Sequence, residues 1–201
     1  TLSSSSAASD VYKRQAYAMP AAADDDRALF DGEGRNVSNG DDEKGVKVFT
    51  NGFSVCKFNN FKTDGSAGHN SLFPDADFFL MRAAEAYLMY AEADARQNNG
   101  TTTAQGTAYI NALRTRANAT TQTAYSLRQI CDEWSREFYF EGLRRTTLIR
   151  FGYFGGNVNY NWSWKGGVKN GRNFDSHLNL FPIPTSDLVA NEANLIQNPG
   201  Y

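Results

Sequence analysis

One stretch constrains this chain more than any other. From Phe79 to Ala95 apolar side chains return every three or four residues, with alanine at 83, 84, 86, 91, 93 and 95. That spacing follows the period of an α-helix rather than the two-residue period of a strand. Phe79, Arg82, Ala83, Ala86, Tyr87, Tyr90 and Ala91 fall on the repeat. Asp75 offers a cap for a start near Ala76, and Asn98-Asn99-Gly100 ends the run, because these residues tolerate the left-handed backbone that closes a helix. The alanines leave room for a second helix to approach closely.

The same period predicts three more helices. One runs from Ala104 to Ala117, with Ala108, Tyr109, Ala112, Leu113 and Arg116 on one face, and the short Thr-rich connection makes it antiparallel to the first. Another runs from Ser126 to Gly142 with Leu127, Ile130, Cys131, Trp134, Phe138 and Glu141 along a buried stripe. Ser126 and Gln129 have the spacing of a capping box at its start. A short fourth helix, Leu143 to Phe151, ends the regular pattern. Beyond it the prolines of Phe181-Pro182-Ile183-Pro184 impose extended backbone. Residues 16–74 are rich in Gly, Asp and Asn. There Asn51-Gly52 predicts a hairpin turn between the short apolar runs Val46–Thr50 and Phe53–Phe58. The expected class is all-α, with extensive irregular loops and a few short strands.

Composition narrows the functions. A chain of 201 residues can enclose one ordinary core. Its 20 basic and 22 acidic residues are spread without a basic stripe, so a nucleic-acid partner is not expected. No run of 18 apolar residues exists to cross a bilayer as a helix. Cys56 and Cys131 show neither zinc spacing nor a disulfide framework, and whether they pair is open. Residues 1–15, TLSSSSAASDVYKRQ, read as an artefactual or disordered tail and are set apart from residues 16–201.

Glu133, Glu137 and Glu141 recur every fourth residue, a column on one helical face with Arg136, Arg144 and Arg145 in reach. Glycoside hydrolysis needs two carboxylates facing each other across a sugar, so the column reads as an ion network and not a catalytic pair. Glu85 and Glu92 on the first helix face Arg114 and Arg116 on the second as further candidates for pairing. Tyr160, Trp162 and Trp164 alternate among glycines and asparagines. On an extended strand all three rings would share one side, there to fill a seam between loop and core or to offer flat faces to a sugar. His69 and His177 lack a second ligand at metal spacing. No G-x-S-x-G element is present, and Gly155-Gly156 and Gly166-Gly167 lack the strand and helix of a phosphate loop. No catalytic residue, metal or cofactor is expected.

Five segments in order resemble the carboxy-terminal landmarks of the SusD/RagB family: FLMRAAEAYLMYAEA (79–93), INALRTRA (110–117), DEWSREFYFEGLRRTTLIRFGYF (132–154), NYNWSWKGG (159–167) and LFPIPTSDLVANEANLIQNPGY (180–201). The resemblance is clear over residues 74–201, and WSWKGG is similar to the starch-utilisation branch. It departs from the family's usual pattern at Thr146-Thr147 and at Asn191-Glu192. The resemblance implies tetratricopeptide-like helix pairs and a non-catalytic, surface-exposed outer-membrane lipoprotein. Such proteins capture polysaccharide or oligosaccharide, here a starch-like glucan, and deliver it to a SusC-like TonB-dependent transporter. It also implies that the front half or more of such a protein, with its lipid anchor and most of its glycan platform, lies outside this chain. A helical-repeat scaffold that binds protein partners, without a glycan site of its own, is the alternative.

Overall fold

The structure, a computed structural model, describes residues 25–32, 34–36, 48–58, 60, 64, 66–70, 73, 75, 77–156, 158, 160–162, 164–191 and 194–201. The tail at 1–15 lies outside them. The chain divides into two compact units, Thr1–Gly142 and Leu143–Tyr201.

The first unit is built on helices α1 (Ala83–Gln97), α2 (Ala104–Arg116) and α3 (Leu127–Phe138). α1 packs on both others. Asp94 of α1 reaches Thr103 at the head of α2, while Tyr87 and Tyr90 meet Tyr109 further along it, so α1 and α2 run antiparallel. The result is the helix pair that the period predicts, and the unit is all-α in character with irregular connections. Asn98-Asn99-Gly100 closes α1 as expected: Asn99 and Gly100 adopt φ of 53° and 85°, and the Gly100 N–H donates to Ala95 O at 2.8 Å. Ser126 and Gln129 form the capping box at the start of α3. The α1–α2 loop is tied to that start by a bridge between Thr101 and Ser126 and by Thr102 N–H donating to Tyr125 O at 3.0 Å. Leu88, Ile110, Tyr125 and Ile130 are each fully buried between these helices. Each contributes about 1.5–3 kcal/mol of hydrophobic stabilisation, enough together to hold the three rods.

Several expectations are corrected. α1 starts at Ala83, not near Ala76, because Arg82 is extended (φ −133°, ψ 152°) and its side chain is drawn into the ion network described below. α3 ends at Phe138, not Gly142. Tyr139 turns extended so that its hydroxyl donates to Arg27 O at 2.6 Å, and Phe140 and Gly142 take positive φ. The hairpin across Asn51-Gly52 is replaced by a different pairing: β2 (Ser54–Val55) lies antiparallel to β1 (Phe30–Asp31), with Phe30 opposite Val55. Val46 and Lys47, in the hairpin's first arm, lie outside the described residues. Cys56 is exposed and Cys131 buried, and no disulfide joins them.

The second unit holds α4 (Arg144–Arg150), two 3-10 turns at Lys165–Gly167 and Ser176–Asn179, and α5 (Thr185–Ala190). α5 was not expected, since the two prolines read as a bar to helix. Pro184 stands just ahead of the helix as its extended cap (φ −56°, ψ 139°), where proline's missing N–H costs nothing. The extended segment before it is held by Gln197, whose amide accepts from Ile183 N–H at 2.8 Å and donates to Ile183 O at 3.0 Å.

Candidate functional site

Glu133 and Glu137, one turn apart, point from α3 into the first unit and are almost wholly buried. Burial of a carboxylate is tolerable only with strong compensation, and five arginines and a lysine supply it. Arg27 arrives from the segment before β1, Arg114 and Arg116 from the last turn of α2, Arg82 from the start of α1, and Arg136 from α3 itself. Glu133 Oε1 accepts from Arg27 at 2.7 Å. Its Oε2 accepts from Arg114 at 2.7 Å and Arg136 at 2.9 Å. Glu137 Oε1 accepts from Arg82 at 2.8 Å and Arg116 at 2.7 Å, and its Oε2 from Arg116 at 2.7 Å and Arg27 at 3.1 Å. Glu141 holds Arg82 at 2.8 Å through each oxygen and pairs with Lys57, whose ammonium also donates to the Glu137 and Tyr139 carbonyls at 2.9 and 3.0 Å. Asp25 anchors Arg27 from the other side at 2.8 Å. Every oxygen of the three glutamates therefore accepts at least one charge-assisted hydrogen bond.

The electrostatics follow from this geometry. Burial alone would raise the Glu133 carboxyl, but Arg136, Arg27 and Arg114 outweigh it and hold the group at about 2. Burial also works against ionisation of Glu137, and hydrogen bonds from Arg116 and Arg82 bring it below its ordinary value. Burial lowers Lys57 against the pull of Glu141, and pushes the Tyr139 phenol up to about 12. Beside the network lies a cleft of about 420 Å³, with Leu29, Phe58, Phe79 and Tyr139 as its apolar lining and Arg116, Glu137 and Glu141 among its polar groups. Proton transfer needs a group that exchanges a proton near neutral pH. Glu133, held near 2, stands behind the cleft and not in its lining, and the Glu137 carboxyl that does line it is held below its ordinary value by Arg116 and Arg82.

The structure thus brings together Glu133, Arg136, Glu137, Glu141 and Arg116 of the residues marked in the sequence. It leaves out Glu85, which forms no ion pair among the described residues. Pairing between the first two helices is corrected: Arg114 and Arg116 reach α3 instead, and Glu92 pairs with Arg96 on its own helix at 2.9 Å. Arg144 is placed elsewhere, in the second unit, where it donates to the Tyr160 hydroxyl at 2.6 Å and burial lowers its pKa. Asp25, Arg27 and Lys57 were not foreseen. Arg27 lies 106 residues from Glu133, and no local pattern links them.

In the second unit the aromatic loop departs from a strand. Tyr160 is buried, its ring stacked on Tyr153 at 4.8 Å and 8° and edge-on to Trp162 at 6.2 Å, so it has no open face for a sugar. Trp164 takes a left-handed backbone (φ 67°) and starts a 3-10 turn, which breaks the alternation that would put three rings on one side. The buried ammonium of Lys165 sits over the Trp162 ring at 4.9 Å and the Phe174 ring at 5.0 Å and donates to Tyr160 O at 3.1 Å; burial lowers its pKa. Trp162 and Trp164 are half-buried.

His69 pairs with Asp75 at 3.0 Å on the surface, and the His177 ring packs on Tyr201. Among the described residues no three His, Cys, Asp or Glu side chains gather as metal ligands, and no helix is long and apolar enough to cross a membrane.

Comparison with known proteins gives a consistent set. The model of the SusD family matches residues 11–201. The starch-binding protein SusD of Bacteroides thetaiotaomicron is 44% identical over 187 residues, covering 91% of this chain and 32% of that protein. The crystal structure of a putative sugar binding protein from Bacteroides vulgatus has a TM-score of 0.51 at 30% identity, over 67% of this chain and 31% of that one. A SusD superfamily protein from Bacteroides vulgatus shares the fold over 94% of this chain and 38% of its own, with a TM-score of 0.55 at 22% identity. The chain spans about a third of the length of these relatives.

Proposed function

This chain belongs to the SusD family, and from that premise we propose that it is part of a non-catalytic protein that captures polysaccharide or oligosaccharide at the bacterial outer-membrane surface. The glycan is delivered to a SusC-like TonB-dependent transporter, and attachment to the membrane is through a lipid anchor outside this chain. A starch-like glucan is the proposed class. The observation that carries it is the 44% identity, over nearly the whole chain, to a protein named for starch binding. Capture breaks no bond, and the neutralised acidic column supports that reading: its carboxylates are spent on fixing α3 against α1, α2 and the β1 segment.

Within this chain, Trp162 and Trp164 are the rings proposed to meet sugar, with Tyr160 in a supporting place beneath Trp162. A second reading, a helical scaffold without its own glycan site, is favoured by the engagement of these rings in packing: Tyr160 by Tyr153, Trp162 by Lys165. Isothermal titration separates the two, using a SusD-family protein that carries this chain as its matched third. Titrants are linear α-glucan fragments, other glucans and unrelated glycans. The α-glucan binds, and Trp162→Ala with Trp164→Ala weakens it about tenfold, near the energy of one aromatic contact. Binding untouched by the substitutions removes this loop from the site and leaves capture standing. No binding to any glycan, with transporter binding retained, establishes the scaffold reading instead.

A further inference from the structure

The cleft beside the ion network has an uneven charge balance. Arg27, Lys57, Arg82 and Arg116 line it against Asp26, Glu137 and Glu141, so the cations exceed the acids by one. Glu137 carries three of the guanidiniums on its two oxygens. Arg27 also has Asp25 and Glu133, and Arg82 also has Glu141. Arg116 is the least provided for. Its only partner among the described residues is Glu137, and it spends one nitrogen there, Nη2 at 2.7 Å from both carboxylate oxygens. Nε and Nη1, with three N–H groups between them, donate to no described residue, and the side chain is 54% exposed. The acid at the rim, Asp26, is engaged by the Asn118 amide at 2.5 Å. The last carbonyls of α2, which would repel an anion, are occupied by the N–H groups of Ala117, Asn118 and Ala119.

The walls are of the opposite kind. Leu29, Phe58 and Phe79 line the cleft at 44%, 45% and 58% exposure, beside the Tyr139 ring. A volume of about 420 Å³ lies within the range of small-molecule sites, which join apolar walls to a few placed polar groups. A guanidinium with unspent N–H groups is the group of choice for an oxyanion, because its planar fork matches a carboxylate. A sugar ring would need many more polar partners than the lining offers, since Lys57 spends all its N–H groups on Glu141 and on the Glu137 and Tyr139 carbonyls. We propose that this cleft binds a small organic anion, a carboxylate on an apolar or aromatic body, with the carboxylate on Arg116 and the body against Leu29, Phe58 and Phe79. The anion supplies the negative charge that the lining lacks. The inference does not rest on the glycan reading, since a neutral glucan carries no carboxylate.

The test titrates the 201-residue chain with phenylacetate, its neutral counterpart phenylacetamide, acetate and glucuronate, followed by saturation-transfer NMR. Phenylacetate binds with a Kd of about 1 mM or tighter, and phenylacetamide binds about tenfold more weakly for want of the charge. Acetate, which lacks the body, and glucuronate, whose body is polar, do not saturate in the same range. Arg116→Gln weakens phenylacetate about tenfold and leaves phenylacetamide unchanged, a split that a merely structural role for Arg116 would not produce. Phe79→Ala weakens both, which places the ligand in this cleft. Should Arg116→Gln lose its native circular dichroism, the acid-against-amide difference in the parent chain and the Phe79→Ala result decide the matter without it. Equal binding of acid and amide overturns the proposal, as does phenylacetate binding untouched by Arg116→Gln or by Phe79→Ala. Absence of binding by every probe overturns it too, and tighter binding of glucuronate than of phenylacetate overturns the apolar body.

Discussion

Glu133→Gln puts the ion network to its hardest test. The amide keeps one oxygen for Arg27 but turns an NH2 group toward Arg114 and Arg136, which donate to Oε2 at 2.7 and 2.9 Å. Two guanidiniums, each little exposed, then face a donor at a position with 0% exposure. Removing one partner from a buried ion pair costs about 3–5 kcal/mol, since the other charge is left uncompensated. For a chain of this length each kcal/mol moves Tm by about 2–4 °C, which gives a fall of about 6–20 °C at neutral pH. Acidification provides the internal control. The folded Glu133 carboxyl is held at about 2, below its ordinary 4.5, so its stabilisation is fully present above pH 4.5 and is lost as pH falls toward 2. The variant has no such group, and the gap between the two proteins narrows across that window. Thermal scans of both proteins from neutral pH down in steps read the effect. A fall smaller than about 2 °C at neutral pH, or a gap that stays constant on acidification, refutes the reasoning.

Three further substitutions probe the scaffold. Ser126→Ala removes the acceptor of the Gln129 N–H and costs about 1 kcal/mol, measured by denaturant unfolding; an unchanged midpoint means that the capping box contributes nothing. Gly106→Ala places a methyl group onto the Asp94 carboxylate, which is fixed by the Thr103 N–H and hydroxyl at 2.7 and 2.8 Å. The clash costs about 1–3 kcal/mol, and Asp94→Ala in the same chain relieves part of it. Lys57→Met takes the donor from the Glu137 and Tyr139 carbonyls and from Glu141, at about 1–3 kcal/mol. Limited proteolysis then cuts within residues 48–58 sooner while α3 stays intact, and equal cleavage rates speak against the tether.

How much of this was legible depends on the range of the interaction. The stop at Asn98-Asn99-Gly100 and the Ser126/Gln129 box are settled within four residues, and the sequence announces both. The start of α1 is not local. Arg82 would make an ordinary helical residue, yet its guanidinium is claimed by Glu137 and Glu141, more than fifty residues on, and the backbone ahead of Ala83 stays extended. The end of α3 fails for the same reason, because Tyr139 is diverted to Arg27. Period also cannot tell which stripe of a helix faces inward. Tyr87 and Tyr90 lie on the repeat that marks α1 as amphipathic, but of the helical residues on that repeat the core takes Ala91 alone, together with Ala84, Leu88 and Ala95. In the aromatic loop the alternation of Tyr160, Trp162 and Trp164 presumed a strand, and the left-handed Trp164 removes that premise.

Both departures in α1 involve charge drawn inward. A helix whose acids point inward needs cations or polar groups to meet them: in α1, Arg96 meets Glu92 and the α2 entry at Thr103 meets Asp94, while Arg114 and Arg116 of α2 meet the acids of α3. Such contacts are directional, so they fix register and orientation in a way that alanine-lined seams, which slide easily, do not. The inner network sets where each rod lies. Every carboxylate oxygen of the three glutamates is committed to that task, so the column beside the cleft is a fixing element of the scaffold.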